Sequence, residues 1–444
     1  MRISRKLLKV LLAVCAVVLC NQAMDFVLSP NYGSARITFT ELQERDDIDM
    51  VIVGSSLAEM NIDPGILAEK LGISVYNAGT AGQSPESTAM LVEYLIRYKH
   101  PKEIVYAVNY SSLGNLQSLA SQIAFNAAYK DAVPLLDDIR ADLRFFSTRD
   151  HFRTAEALSC WAPWSVNHTF LRPTEIIKNV IEKIKGTAPS ESLNIHSPTS
   201  RYYNSGFQAY DGMLDYNDVG KKTSIGYFNE DFYPPALQSL KDIARMCREN
   251  DVRLYVVNTP KPVFDVVSYG PWYFEKMQVL EDLFAEYEVP YVDFSLAVPE
   301  LYEAKEEYYH DYDHLCYDGA EVFSASLAEL IPYFRSGGYK DLFRTPEAYL
   351  ASIKTISSVD FDLKEASQGY LIQAFAWTGS NVECEYRYLI RESGTEEWTV
   401  VKDFSVADAC GIQPGTGTWD IRVEARVKGE SAVRYYTQTV RNYR

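Results

Sequence analysis

Two serines stand where a buried strand is predicted to end. Residues 49–56 read DMVIVGSS, in which residues 50–53 form a short, uninterrupted apolar run of β-branched character. Such a run is typical of a strand covered on both faces of a parallel sheet. Gly54 permits a sharp turn, so Ser55 and Ser56 emerge at the carboxyl end of the strand, where open α/β sheets bind ligands. Gly-Ser-Ser is also ordinary turn chemistry, so a nucleophilic serine needs partners from elsewhere in the chain.

One histidine has the neighbour that such a serine requires. Of the six histidines, only His314 has an aspartate, Asp311, three residues before it. Serine catalysis needs a base within hydrogen-bond reach and a carboxylate that holds the base in its productive tautomer. His314 lies after the last strand and near the start of the last helix of the predicted sheet region, so it can face the edge where Ser56 emerges.

Three groups could stabilise the negative charge that develops when a serine attacks an ester. They are the backbone N–H of Ser56, the backbone N–H of Gly82 after the second predicted strand, and the side-chain amide of Asn109 after the third. Preorganised donors of this kind form an oxyanion hole. Taken by itself, Asn109 is as typical of an ordinary turn as of an oxyanion hole. Gly82 is typical of a backbone conformation that only glycine adopts easily.

The surrounding pattern predicts three regions after the N-terminal segment. Strands separated by helices predict a doubly wound parallel sheet over residues 46–338, and the alternation breaks at 110–231, which we interpret as an inserted cap over the carboxyl edge. Asp63-Pro64 and Ser84-Pro85 are typical helix starts and Gly72 is a typical helix end, while residues 318–321, DGAE, resemble a capping box that starts the last helix. Short alternating segments over 355–444 predict a β-sandwich of immunoglobulin or fibronectin III type, most simply a spacer or packing module.

The ends, charge and cysteines restrict the function further. Residues 1–28 combine basic residues with an apolar run from Val10 to Cys20, which indicates a signal segment or membrane anchor. We favour an uncleaved anchor because no clean cleavage site follows. Either way, the rest of the chain is predicted to lie outside the cytoplasmic membrane.

The net charge of -17 argues against a nucleic-acid partner. The seven cysteines form no evident disulfide framework, although Cys384 and Cys410 could pair.

In this order, the motifs resemble the SGNH/GDSL hydrolase family over about residues 49–335. The resemblance rests on GSS at 54–56, NAGTAG at 77–82, AVN at 107–109 and DYDHL at 311–315. It implies a flavodoxin-like sheet with Ser56 as nucleophile, Gly82 and Asn109 as oxyanion donors, His314 as base and Asp311 as its orienting carboxylate. It implies no cofactor. Ser55 stands where the family has aspartate, and the third motif lacks the family's glycine and aspartate.

A GSS motif behind an N-terminal anchor looks like the membrane-tethered branch of that family. The branch includes the D-alanyl transfer protein of teichoic acid modification and partners of membrane-bound O-acyltransferases. The resemblance therefore implies a membrane-anchored, extracytoplasmic serine acyltransferase or esterase. Its substrates would be acyl esters, of O-acetyl or D-alanyl type, on a cell-surface polysaccharide or teichoic acid, and a membrane-bound O-acyltransferase could be its partner.

Three alternatives remain open. The departures at Ser55 and after Asn109 motivate a catalytically inactive scaffold that binds a cell-envelope polymer or a membrane acyltransferase. Residues His310 and His314 have a zinc-ligand spacing, with Asp311 and Asp313 between them, but we expect no metal because no glutamate follows the first histidine as in zinc proteases. His314 could also be a structural histidine at the start of the last helix.

Overall fold

A five-stranded parallel sheet forms the centre of the computed structural model, which describes residues 5–29, 33–114, 119–140, 159, 161–166, 172–185, 199–217, 219, 231–367 and 369–442. The strands are β1 (Met50–Gly54), β2 (Val75–Asn77), β3 (Glu103–Val108), β6 (Arg253–Asn258) and β7 (Tyr291–Asp293), in the order β2-β1-β3-β6-β7. All five residues of β1 are buried. Val51 and Val53 enter one hydrophobic core, and Met50 and Ile52 enter the other. The two-sided burial of β1 confirms the predicted α/β class, and the strand order is the flavodoxin-like one.

Helices cover both faces of this sheet. In chain order the described α-helices are α1 (Arg5–Leu28), α2 (Ser34–Glu44), α3 (Ser56–Asn61), α4 (Pro64–Leu71), α5 (Pro85–Tyr98), α6 (Leu119–Ala132), α7 (Pro173–Lys185), α8 (Pro234–Glu249), α9 (Val263–Tyr269), α10 (Pro271–Ala285), α11 (Tyr317–Ser336) and α12 (Pro346–Ser352). The predicted caps of α4 and α5 are present: the Asp63 side chain accepts from the Gly65 N–H, and the Ser84 side chain accepts from the Ser87 N–H. Gly72 ends α4 in the left-handed conformation.

Two local predictions were wrong. The last helix of the α/β region does not begin with a capping box at residues 318–321, because Cys316 is its N-cap and Asp318 already lies in its first turn. A carboxylate in a first turn is stabilised by the helix dipole without being the cap. The sequence also placed Ser56 in a turn, whereas it is the first residue of α3. A six-residue helix is too short to show a helical period.

Part of the predicted cap over 110–231 lies outside the described residues. The described part contains α6, α7 and an antiparallel hairpin of β4 (Ser200–Asn204) and β5 (Phe207–Tyr210). The hairpin turn touches the end of β2: the Asn77 N–H donates to the Ser205 carbonyl at 2.9 Å, and a Cβ on Gly206 would lie 1.7 Å from the Asn77 oxygen. The hairpin is therefore attached at the carboxyl edge of the sheet.

The C-terminal region is all β. Its strands are β8 (Ser358–Glu365), β9 (Tyr370–Trp377), β10 (Cys384–Glu392), β11 (Thr399–Ser405), β12 (Ala409–Ile412), β13 (Gly417–Val427) and β14 (Arg434–Asn442). They form two antiparallel sheets, β11-β10-β13-β14 and β12-β9-β8, around a common core. The sequence did not predict β8 or β12. Cys384 and Cys410 are free thiols, so the pairing left open above is not formed.

Helix α1 differs from the other helices in its exposure. It has 24 residues, its most apolar window has a mean hydropathy of 2.1, and only 6% of that window is buried. By length and composition it can cross a membrane, a test that a signal sequence also passes.

The turn at Gly54 gives a stability prediction. Gly54 has a φ of +143°, and a Cβ there would lie 2.4 Å from the Ala107 oxygen, whereas Gly72 has a φ of +66° with nothing within 4 Å of its Cβ position. We expect Gly72→Ala to lower the free energy of unfolding by about 1 kcal/mol through backbone strain alone. Gly54→Ala should cost at least about twice as much, because β1 and β3 must also separate. Equal losses in chemical denaturation would contradict the close strand approach.

Candidate active site

The nucleophile candidate lies where β1 turns directly into a helix. Ser55 is the N-cap of α3, and its side chain accepts from the Leu57 N–H at 3.5 Å. Ser56 is the first helical residue, so its backbone N–H has no acceptor within the helix. The N-terminal end of a helix favours negative charge. The local fold thus places one hydroxyl in a capping role and points the next toward the edge of the sheet.

The structure brings Ser56, His314 and Asp311 into one hydrogen-bonded chain. Ser56 Oγ lies 2.8 Å from His314 Nε2. His314 Nδ1 lies 3.0 Å from Asp311 Oδ2 and 3.1 Å from Oδ1. This is the arrangement in which a histidine can take a proton from serine while a carboxylate holds the other ring nitrogen.

Asp311 is held in its ionised form. Burial raises the pKa of this carboxyl, but the hydrogen bond and charge of His314, together with the backbone N–H groups of Asp313 and His314, outweigh it and lower the pKa to about 2. Both N–H groups donate to Asp311 Oδ1 at 2.7 Å. The carboxylate is therefore charged at neutral pH and fixes the Nδ1–H tautomer of His314, which leaves Nε2 to accept from Ser56.

Asn61 joins the loop that carries His314 to the helix that carries Ser56. Its Nδ2 donates to the Asp313 carbonyl at 3.3 Å and to Thr259 Oγ1 at 3.2 Å, and its Oδ1 accepts from the Leu315 N–H at 2.9 Å. Asn61 is fully buried. One side chain thus fixes the distance between α3 and both flanks of His314. Its only sequence signal is its position five residues after Ser56, and the sequence analysis missed it.

A buried ion pair lies behind the same loop. The fully buried Lys261 Nζ is 2.5 Å from Asp313 Oδ1 and 3.9 Å from Asp265 Oδ2. Burial raises the pKa of Asp265 to about 7 against the opposing charge of Lys261, so Asp313 is the principal partner of the ammonium group. Lys261 lies between two prolines, in a segment typical of an ordinary turn, and no sequence pattern predicts it near His314.

The loops proposed to supply oxyanion donors meet α3 closely. The Thr80 N–H donates to the Gly54 oxygen at 3.1 Å, and a Cβ on Gly79 would lie 2.6 Å from the Glu59 nitrogen. Gly82 follows in the same loop with a φ of +66°. On the next loop, Asn109 Oδ1 accepts from the Ser111 N–H at 3.0 Å, so Nδ2 is the donor group of this buried side chain. Both candidates lie on the loops that leave the carboxyl ends of β2 and β3.

Glu59 contacts the loop after β2, which carries Gly82. Its carboxyl accepts from the Ser34 hydroxyl and the Ala81 N–H, and burial raises its pKa to about 8. Its Oε2 atom is buried with no hydrogen-bond partner among the described residues. A neutral carboxyl can therefore reside here, three residues after Ser56 and next to the loop that carries Gly82. The sequence analysis did not single out Glu59.

The inserted hairpin supplies an aromatic wall beside His314. The Tyr210 ring stacks on His310, with centroids 4.1 Å apart, and meets the edge of His314 at 5.4 Å. His310 Nδ1 lies 3.2 Å from the Gly212 carbonyl. Residues 309–315 form a loop closed by a bridge between Tyr309 and Leu315, not a helix, so the two histidines do not share the helical spacing of a zinc site. No group of three metal-binding side chains occurs among the described residues.

The chain resembles two solved structures at low sequence identity. No family model and no curated protein matches the chain. Two similar solved structures are a "putative platelet activating factor" from Streptococcus pneumoniae and a GDSL-like lipase from Bacteroides thetaiotaomicron. The first is 12% identical, with a TM-score of 0.31, and the match covers 72% of this chain and 97% of that one. The second is 11% identical, with a TM-score of 0.28, and covers 66% and 94%.

The attachment of the His314 loop is testable through Asn61. We expect Asn61→Ala to slow the reaction of Ser56 with a fluorophosphonate probe about tenfold, since a loss of about 1.4 kcal/mol in positioning corresponds to that factor. Asn250→Ala, which removes an exposed side-chain bond to the Met246 carbonyl, is the matched control and should label at the wild-type rate. Wild-type labelling of Asn61→Ala would show that the loop is held without this residue.

Glu59 predicts a pH dependence of stability. Because its pKa is raised in the fold, its contribution is fully present below the unfolded pKa of about 4.3 and is lost as the pH rises toward about 8. Glu59→Gln removes this titration, so its free energy of unfolding should fall less between about pH 5 and about pH 8 than that of the wild type. Asp265 titrates in both proteins and cancels in the comparison.

The control for Glu59 is Glu249→Gln, at an exposed helix end, which should keep the wild-type slope. If Glu59→Gln and the wild type lose stability equally over this range, Glu59 is ionised in the fold throughout.

Proposed function

We propose that this chain is a serine esterase or acyltransferase of SGNH/GDSL type that acts on acyl esters. The observation that carries the proposal is the hydrogen-bonded chain from Ser56 through His314 to Asp311. The family motif has aspartate where this protein has Ser55. Ser55 has a separate role as the N-cap of α3, so this departure leaves the hydrogen bonds from Ser56 through His314 to Asp311 complete.

In the proposed reaction, His314 Nε2 takes the proton of Ser56 as Oγ attacks the acyl carbonyl carbon. His314 then returns that proton to the leaving alcohol, and the acyl group remains on Ser56. A second hydroxyl, from water or a sugar, gives its proton to His314 as it attacks the acyl carbon. His314 then passes this proton to Ser56 Oγ as the bond between Oγ and the acyl group breaks, which releases the free serine. Asp311 stays ionised throughout and stabilises the imidazolium that forms in each step.

The oxyanion would be held by donors from three loops. These are the Ser56 N–H at the start of α3, the Gly82 N–H and the Asn109 Nδ2 group. Removing one such donor typically costs a hundred-fold or more in turnover. The contacts of Thr80 with Gly54 and of Ala81 with Glu59 support this assignment, because they hold the Gly82 loop against the helix that carries the nucleophile.

The alternative is a catalytically inactive scaffold that binds a cell-envelope polymer or a membrane acyltransferase. A scaffold needs no alignment of Ser56 with His314. It also needs neither the three hydrogen bonds of Asn61 nor a buried Lys261 beside Asp313. Buried ionic groups are costly to retain, so their concentration behind a single loop favours the enzyme.

The proposed substrates are acyl esters of O-acetyl or D-alanyl type on a cell-surface polysaccharide or teichoic acid. The exposed apolar helix α1 supports attachment to the cytoplasmic membrane with the remaining domains outside it. A membrane-bound O-acyltransferase is the proposed partner. The described part of the insertion places a hairpin beside His314, which supports a walled site in which a sugar hydroxyl can compete with water.

The decisive test is labelling of the full chain with a fluorophosphonate probe. We expect labelling in the wild type and in Ser55→Ala, and none in Ser56→Ala or His314→Ala, because only the latter two remove the nucleophile or its base. Ser55→Ala is the matched control, since it removes a hydroxyl from the neighbouring position at the cost of a helix cap.

Two outcomes would count against the enzyme. Absence of labelling in the wild type, with a known serine esterase labelled in parallel, would favour the scaffold. Labelling that survives Ser56→Ala would place the reactive serine elsewhere. Once labelling is established, release of acetate or D-alanine from acylated cell-wall polymers identifies the acyl group.

A further inference from the structure

Helix α7 exposes a row of isoleucines and buries polar side chains on another face. Asn179 is buried and Lys183 is half-buried, whereas Ile177, Ile181 and Ile184 are 61%, 44% and 72% exposed. These isoleucines are spaced as i, i+4 and i+7, so they form one row along the helix. A helix that only packs on a soluble protein buries its apolar row. This row is thus available to an apolar phase.

The buried face of α7 is turned toward the end of α1. Lys183 Nζ donates to the carbonyls of Phe26 and Ser29, each at 2.9 Å, and approaches that of Asp25 at 3.4 Å. Burial, together with the nearby charge of Arg36, lowers the pKa of Lys183 to about 8 against the attraction of Asp131. A lysine at the last carbonyls of a helix serves as its C-terminal cap.

The last turns of α1 are part of the folded insertion. Asn21 Nδ2 donates to the Trp161 carbonyl, and Asn21 Oδ1 accepts from Trp164 Nε1, both at 2.8 Å. Asp25 Oδ1 accepts from the Trp164 backbone N–H at 3.2 Å. Gln22 donates to Asp138. A segment with these contacts cannot be removed without leaving buried polar groups unpaired.

Other exposed apolar residues lie beside the same helix end. Val166 follows the 3-10 helix Pro163–Ser165, which packs on α1, and is 54% exposed. Leu135 and Leu136, 42% and 70% exposed, precede the residue bonded to Gln22. We call this set the collar: Leu135, Leu136, Val166, Ile177, Ile181 and Ile184.

The free length of α1 is too short to span a bilayer by itself. From Leu7 to Cys20, where the contacts with the insertion begin, 14 residues span about 21 Å at about 1.5 Å per residue. A bilayer core is about 30 Å thick, which leaves about 9 Å. Interfacial helices sink about 5–10 Å into the boundary between headgroups and acyl chains. An embedded collar therefore makes up the missing length.

We infer that the collar is embedded in the outer leaflet of the membrane that α1 crosses, so that the protein is seated on the lipid surface and not tethered above it. This inference rests on the proposed membrane attachment of α1, but not on the proposed catalysis. Lys178 and Lys185 lie on the exposed part of α7 outside the isoleucine row, where ammonium groups can reach lipid phosphates.

The test is the depth of a tryptophan placed in the collar. The full-length Ile184→Trp variant is reconstituted in vesicles of phosphatidylethanolamine and phosphatidylglycerol whose acyl chains are brominated. We expect its added fluorescence, relative to the wild type, to be strongly quenched and shifted to the blue. Met213→Trp is the matched control, since Met213 is 67% exposed and lies outside the collar, and its added fluorescence should be unquenched.

A second variant tests whether the quenching depends on the isoleucine row or on the introduced tryptophan alone. Replacing Ile177 and Ile181 by serine in the Ile184→Trp background should reduce the quenching, because the apolar row no longer favours burial. Unquenched, water-like emission from Ile184→Trp in these vesicles would overturn the collar and point to a protein partner on the same row. Fluorophosphonate labelling of the same samples separates this result from a failure of the proposed catalysis.

Discussion

The site depends on the attachment of one loop to one short helix. Ser56 and His314 are 258 residues apart in the chain. The catalysis proposed for them requires the relative position of their side chains to be accurate to well below 1 Å. Apolar packing does not set such distances, because it is not directional. Here the distance is set by directional bonds. Asn61 binds both flanks of His314, and two residues further on the Asp63 N–H donates to Ser324 in α11. The helix with the serine and the helix after the histidine are thereby fixed to each other.

The buried charge behind this loop fits the same interpretation. An ammonium group without exposure to water is destabilising unless it is closely paired, and Lys261 is paired with Asp313, two residues from Asp311. Moving the loop outward would separate this pair inside a low-dielectric environment. The ion pair therefore adds little to overall stability but penalises displacement of the loop. Asp265, with its raised pKa, can be neutral, which leaves the charge of Lys261 directed at the loop.

The sequence predicts those parts of the fold in which a residue's type and its immediate neighbours determine its structural role. Asp63 before Pro64 and Gly72 at the helix end were sufficient to define α4, and a continuous apolar run was sufficient for β1. The candidate site was predictable where its residues are close in sequence, as with Asp311 and His314, or where a residue follows a predicted strand, as with Ser56. Asn61 and Lys261 were not, because their roles come from partners more than fifty residues away. Strand β8, SVDFDLKE, was missed because its charged residues conceal a half-buried edge of the sandwich.

A continuous series of polar contacts links helix α1 with the candidate site. Lys183, which caps α1, lies 3.7 Å from Asp131 in α6, and Asp131 pairs with Arg36 in α2. Two residues earlier in α2, Ser34 accepts from the Ala81 N–H at 3.2 Å and donates to Glu59, which is in the helix that begins with Ser56. Each step joins helices or a tight loop, and none crosses a long unstructured linker. Under the proposed attachment, the height of Ser56 above the lipid is therefore set by the fold itself. The proposed enzyme would meet acyl groups at a fixed distance from the membrane surface, which suits acceptors and donors that are themselves held there.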